Sequence, residues 1–123
     1  MAPRRRIPGP VGEAALRAWR EQGEQTGRQD LATAVRYTLE ELASRHPGRS
    51  VEVRVPPFGA AQAIAGPDHK RGTPPNVVET DAQTWLRLAV GDLDWRAAGE
   101  SGALRDSGIR ADLSGHLPLL PEP

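Results

Sequence analysis

The chain has 123 residues, a length typical of a single domain. Its 16 basic and 16 acidic residues balance, so no net charge attracts nucleic acid or an anionic membrane. It contains no cysteine, which excludes disulfides and thiolate chemistry and is typical of the cytoplasm. No stretch approaches the roughly 20 apolar residues of a membrane span, and no apolar segment follows the basic run at residues 4–6. The sequence predicts a cytoplasmic protein with no nucleic-acid partner and no integral membrane association.

The first third of the chain is predicted to be helical after a short tail. Residues 1–10 are expected to form a disordered basic tail, because their prolines and arginines cannot bury apolar surface. An apolar stripe that includes Trp19 predicts an N-terminal helix, followed by a polar loop, over residues 11–29. A second helix is predicted to start after Asp30, whose carboxylate can accept from the first exposed amides, and to end at Pro47.

Strand patterns dominate the middle of the chain. Residues 51–55 alternate valine with charged side chains, which predicts a strand with one buried face. Further strands are predicted over residues 58–65, 76–80 and 103–107. Because the strands predicted at 51–55 and 58–65 are joined by a short turn, these two are expected to pair antiparallel. Residues 66–72 are rich in glycine, proline and charge and are predicted to be an exposed turn.

Helices return after the third strand. Asp81 is predicted to cap a helix over residues 82–90 that Gly91 ends, and Asp94 to cap a short helical turn. The last apolar segment, residues 112–120, is predicted to be partly helical. Helices, a meander of strands, more helices and a final strand together indicate an α+β domain.

The sequence contains no pattern typical of catalysis or metal binding. Its three histidines lack the spacing of a zinc site, and the phosphate-binding G-x-x-x-x-G-K pattern is absent. Asp112, Ser114 and His116 lie within five residues, whereas a catalytic triad is assembled from distant parts of a chain. Helix capping accounts for most of the other paired carboxylates and leaves Glu79 without an assigned role. We therefore expect no cofactor, no metal and no enzymatic activity.

Three parts of the sequence share the features of one family. They are residues 35–43 with 47–57, residues 71–81 with 84–91, and residues 102–115. Together they resemble the bacterial branch of the sterol carrier protein (non-specific lipid-transfer protein) family, over about residues 30–120. The widest signature is Val78-Glu79-Thr80-Asp81, followed by Trp85 and Gly91-Asp92-Leu93. The resemblance implies a five-stranded, mostly antiparallel sheet with helices packed on one face around an apolar tunnel. It also implies binding of sterols, fatty acids or acyl thioesters without chemistry.

A carrier function requires an apolar pocket between the sheet and the helices. Alternation in the strands and stripes on the helices select seven candidate wall residues: Val53, Val55, Ile64, Trp85, Leu88, Leu104 and Leu117. The second strand is rich in alanine, which is compatible with a cavity or with close packing and no cavity. The alternative is therefore an accessory or protein-interaction module of the same fold with a solid core and no ligand. Such a module would act on a protein partner or as a homodimer.

Overall fold

The computed structural model describes residues 6–66, 76–108 and 111–120. Their helices are α1 (Gly9–Gln22), α2 (Arg28–Arg45), α3 (Ala82–Val90) and α4 (Trp95–Glu100), with a 3-10 turn at Gly23–Gln25. Their strands are β1 (Val51–Val55), β2 (Gly59–Ala63), β3 (Val77–Thr80) and β4 (Leu104–Ser107). None of the described helices has the length and apolar character needed to cross a membrane. Most of the exposed turn predicted at 66–72 lies outside the described residues.

The strands form one sheet in the order β2-β1-β3-β4. Strand β1 is antiparallel to β2 and parallel to β3, while β4 is antiparallel to β3. The α+β class is confirmed, but the prediction of five strands is wrong: the described residues form four. The fifth strand came from the family resemblance alone, since the alternation patterns in the sequence indicated only the four that are present.

Residues 111–120, which follow β4, form no further strand. The amides of Leu119 and Leu120 donate to the carbonyl of Ala89 near the end of α3, and not to a neighbouring strand. Ala111, Leu113 and Leu119 of the same segment are buried in the core. The partly helical prediction for residues 112–120 is also wrong, because residues 114–116 form only an isolated turn.

The sheet has one apolar and one charged face. Val51, Val53 and Val55 are completely buried on the side that carries the helices, and they belong to a core shared by α1, α2 and α3. The intervening charged residues of β1 lie on the opposite face, where Arg54 is paired in register with Glu79 of β3. The predicted alternation in β1 is thus confirmed, and the charged side chains mark the face that the helices leave open.

Helix ends agree with the predicted caps at Asp81 but not at Asp30. The Asp81 carboxylate accepts from the backbone N–H and the hydroxyl of Thr84, at 2.9 and 3.0 Å. Gly91 ends the same helix with a left-handed φ of 88°, a conformation that glycine adopts without steric cost. Helix α2 begins at Arg28, with Gly27 as its N-cap. Asp30 therefore lies inside the first turn, where its charge still complements the exposed amides.

Helix α1 is docked on the domain at both ends. It begins at Gly9, inside the predicted tail, of which residues 1–5 lie outside the described residues. The backbone N–H groups of Arg6 and Ile7 both donate to the Glu40 carboxylate, at 3.1 Å each. At the other end the Trp19 indole donates to Gln83 at 2.8 Å. These contacts join α1 to α2 and α3.

Candidate functional site

The seven residues predicted to line a pocket lie in the core or against it. Five are buried: Val53, Val55, Trp85, Leu88 and Leu104. The other two, Ile64 and Leu117, are half-buried and pack on the same core. The structure therefore places five of the seven in the core and the other two against it. Their role as walls of a ligand pocket stays a prediction.

Trp85 has a hydrogen-bond partner inside this interior. Its indole N–H donates to the hydroxyl of Thr38 on α2 at 2.8 Å. That hydroxyl lies 2.9 Å from the carbonyl oxygens of Ala34 and Val35 in the preceding turn. Because a buried indole N–H needs a partner when no water is present, Thr38 explains how tryptophan is accommodated between α2 and α3. The same contact gives Trp85 a structural role.

A wide concavity in the described part of the chain lies elsewhere, along the outer side of α2. It is an open groove of about 1410 Å³. Its floor is a stripe of α2 that includes Thr33, Arg36, Glu40 and Ala43, which recur at helical spacing. One bank is the chain from Arg6 to Val11, and the other is β2 with the residues on either side of it. None of the seven predicted wall residues lines this groove.

Both banks of the groove are largely apolar. Ile7, Pro8 and Val11 line the first, and Phe58 and Ala61 line the second. Val11 is 52% exposed and is the one large apolar side chain that is exposed in the described residues. Sequence reasoning missed the groove because its banks come from segments about fifty residues apart. The feature of the sequence that could have indicated the groove is Val11, an apolar residue on the solvent side of α1.

Polar contacts hold the banks in place. The Arg36 Nε donates to the Phe58 carbonyl at 2.8 Å, and the Arg49 Nε donates to the Gln62 side chain at 3.1 Å. The Arg28 guanidinium lies 5.5 Å from the centre of the Phe58 ring, within the range of a cation–π contact. The groove thus combines apolar walls with arginines at its rim.

The residues considered for catalysis have structural partners. The Ser114 N–H donates to the Asp112 carboxylate at 2.8 Å. This bond, and a second from the Ser114 side chain, hold the pKa of Asp112 below its usual value. Glu79 lies on the charged sheet face, in register with Arg54 and Arg105. In residues 6–66, 76–108 and 111–120, no three potential metal ligands of the His, Cys, Asp or Glu type lie together.

The ring centres of His46 and His116 lie 4.6 Å apart. This contact joins the end of α2 to the C-terminal turn. Burial, the neighbouring His116 and Arg45 together lower the pKa of His46 from its ordinary 6.5. Since the folded state resists this protonation, the unfolded state binds the proton first as pH falls below 6.5. The free energy of unfolding should therefore decrease from that pH down to the folded-state pKa.

We expect His116→Gln to flatten this pH dependence, because it removes the charge that opposes protonation of His46. Urea unfolding of both proteins between about pH 7.5 and pH 5 measures the difference. Only the contrast between variant and parent counts, since every ionisable group other than His116 is common to both proteins. Parallel curves for the two proteins would show that the ring pair has no energetic coupling.

Comparison with known proteins identifies the family of most of the chain. A family model described as "Bacterial SCP ortholog" matches residues 27–119, which span α2, the four strands, α3 and α4. No curated protein matches the chain. The match begins after α1, although α1 contributes Ala15, Leu16 and Trp19 to the core. The resemblance seen in the sequence is confirmed, and the chain belongs to the bacterial sterol carrier protein-like family.

Proposed function

We propose that this protein is a non-enzymatic lipid-binding carrier in the cytoplasm, and that its acyl-chain or sterol-like ligand lies in the groove along α2. The observation that supports this site is the exposed Val11, which faces a groove with a second apolar bank around Phe58. Small-molecule pockets usually enclose about 300–1,000 Å³, so a groove of about 1410 Å³ has room for a long apolar ligand. Membership of the sterol carrier protein-like family supports the same ligand class.

Apolar burial would supply the affinity. Each square ångström of apolar surface removed from water contributes about 25 cal/mol. Binding would bury apolar surface of Ile7 and Val11 and of the ligand's own hydrocarbon chain. Arg36 and Arg49 at the rim would receive the polar end of the ligand. The Glu40 carboxylate already accepts two backbone N–H groups. This supports a structural and not a catalytic role for Glu40, the one acidic side chain among the described residues that line the groove.

Val11→Glu is expected to weaken binding of a fluorescent fatty acid about tenfold, a loss of about 1.4 kcal/mol. The change places a carboxylate where the proposed ligand buries apolar surface. Fluorescence titration of the two purified proteins measures both dissociation constants. Ala14→Glu is the matched control, because Ala14 is also exposed on α1 but does not line the groove. Equal binding by the parent and Val11→Glu, or equal losses in both variants, would exclude this groove as the ligand site.

A second candidate is the solid-core interaction module, and the burial of Trp85 favours it. An interior that closes around Trp85 and Leu88, at 0% and 1% exposure, is what a ligand-free module requires. Native mass spectrometry followed by organic extraction separates the two functions. A stoichiometric co-purified lipid supports the carrier, whereas a clean chain mass with no fatty-acid binding supports the module.

A further inference from the structure

Among the described residues, strand β2 forms one edge of the sheet, with β1 as its single neighbour. The amide of Glu52 donates to the carbonyl of Asn76 beside β3, so the even-numbered residues of β1 bond toward β3. Its odd-numbered residues, including Val53, must then bond toward β2, because backbone groups alternate sides along a strand. Val53 is in register with Ala61. The odd-numbered residues of β2 therefore face β1.

The backbone N–H and C=O groups of Ala60 and Gln62 consequently point away from the sheet. The carbonyl of Phe58, two residues earlier, points the same way and accepts from Arg36, which lies outside the sheet. Both Ala60 and Gln62 are exposed. Natural proteins usually protect such an edge with charges, proline or a bulge. The sequence of β2, Gly-Ala-Ala-Gln-Ala, contains neither a charged residue nor a proline.

This edge is complementary to itself. A two-fold axis through Ala61 would place the alanine methyl groups of two copies opposite each other at a close, non-hydrogen-bonded position. Ala60 of each copy would then face Gln62 of the other, and each such pair would exchange both of its backbone hydrogen bonds. Within residues 59–63, no charged side chain opposes another in this register and no bulky side chain separates the strands. Arg36 and Arg49 bond to Phe58 and Gln62 beside the strand.

The opposite edge of the sheet lacks this property. A two-fold axis through the middle of β4 passes through Arg105 or Asp106, both exposed. Either register would set two like charges directly opposite each other, which destabilises a strand pair. The two edges therefore differ in kind: β4 carries charges that oppose self-pairing and β2 does not.

We propose that two copies of this chain associate through antiparallel pairing of their β2 strands, which forms one continuous eight-stranded sheet from two four-stranded ones. The paired strands lie along one bank of the α2 groove, since Ala60, Ala61 and Gln62 line that bank. The association rests on backbone geometry and is independent of the proposed lipid.

Sedimentation equilibrium over a range of protein concentrations tests the pairing. The parent should approach twice the chain mass of 13.3 kDa as concentration rises. Gln62→Pro should remain at the chain mass, because proline removes an N–H that faces away from β1 and so leaves the internal ladder intact. The double variant Ala60→Lys/Gln62→Lys, which places lysines opposite each other across the axis, should also stay monomeric.

Asp106→Pro is the matched control, with the same substitution at the other edge, and it should associate like the parent. Far-UV circular dichroism confirms that each variant is folded before its mass is interpreted. The proposal is overturned if the parent protein stays at the chain mass at every concentration. It is also overturned if both β2 variants still form the dimer. Mass and fatty-acid binding are separate readouts, so a failure of the proposed lipid function leaves this result interpretable.

Discussion

Trp85→Ala is expected to lower the free energy of unfolding by about 3–5 kcal/mol, the usual cost of truncating a buried aromatic side chain. The Trp85 side chain is completely buried, and its removal would leave a cavity between α2 and α3. The variant would also leave the Thr38 hydroxyl without its indole donor. Since small domains are stable by only about 5–15 kcal/mol, the loss should be visible as a large shift in the urea midpoint.

Trp95→Ala is the control for this substitution. Trp95 begins α4 and is only half-buried against the core, so the same chemical change should cost much less. Far-UV circular dichroism follows both transitions without depending on tryptophan emission. Equal losses in the two variants would contradict the close packing around Trp85.

Gly12→Ala is expected to destabilise the protein by about 1–3 kcal/mol, the usual cost of overpacking. In an unconstrained helix the same change stabilises by about 0.8–1 kcal/mol, so the expected sign is reversed. The reason is the close approach of α1 to α2: a Cβ atom on Gly12 would overlap the ring of Tyr37. Tyr37 is 5% exposed, so its ring has little space in which to move.

Gly99→Ala provides the comparison, because a Cβ atom there meets nothing within 4 Å. It should leave stability unchanged or raise it slightly. Urea unfolding of both variants and the parent gives the two differences. A more stable Gly12→Ala protein would show that α1 does not pack closely on α2 at this position.

Local patterns in the sequence were sufficient to predict much of this fold. The valines of β1 and the pair Asp81 and Gly91 around α3 act through neighbouring residues, and each prediction made from them is confirmed. The prediction of Asp30 as the N-cap was wrong because an acidic residue is also favourable inside the first turn of a helix, and Gly27 is the N-cap instead. Local patterns alone could not separate these two positions.

Tertiary contacts account for what the sequence did not indicate. The C-terminal segment is held by hydrogen bonds from Leu119 and Leu120 to Ala89, a long-range contact that no local spacing encodes. The groove requires Val11 and Phe58 to meet across α2, which depends on how α1 docks. Five of the seven predicted wall residues lie in the core and two pack against it, but apolar alternation is the same for a packed core and for a pocket wall.

Strand β1 has two different neighbours, and this has a consequence for the lengths that the chain can tolerate. Its odd-numbered residues bond to β2 and bury Val51, Val53 and Val55, while its even-numbered residues bond to β3 and carry charge. A single inserted residue would therefore turn valines toward water and also redirect every following amide to the wrong neighbour. A compensating insertion in β2 would restore one ladder but leave the parallel ladder with β3 out of step. Insertions and deletions are thus excluded from β1 more strictly than substitutions of its side chains.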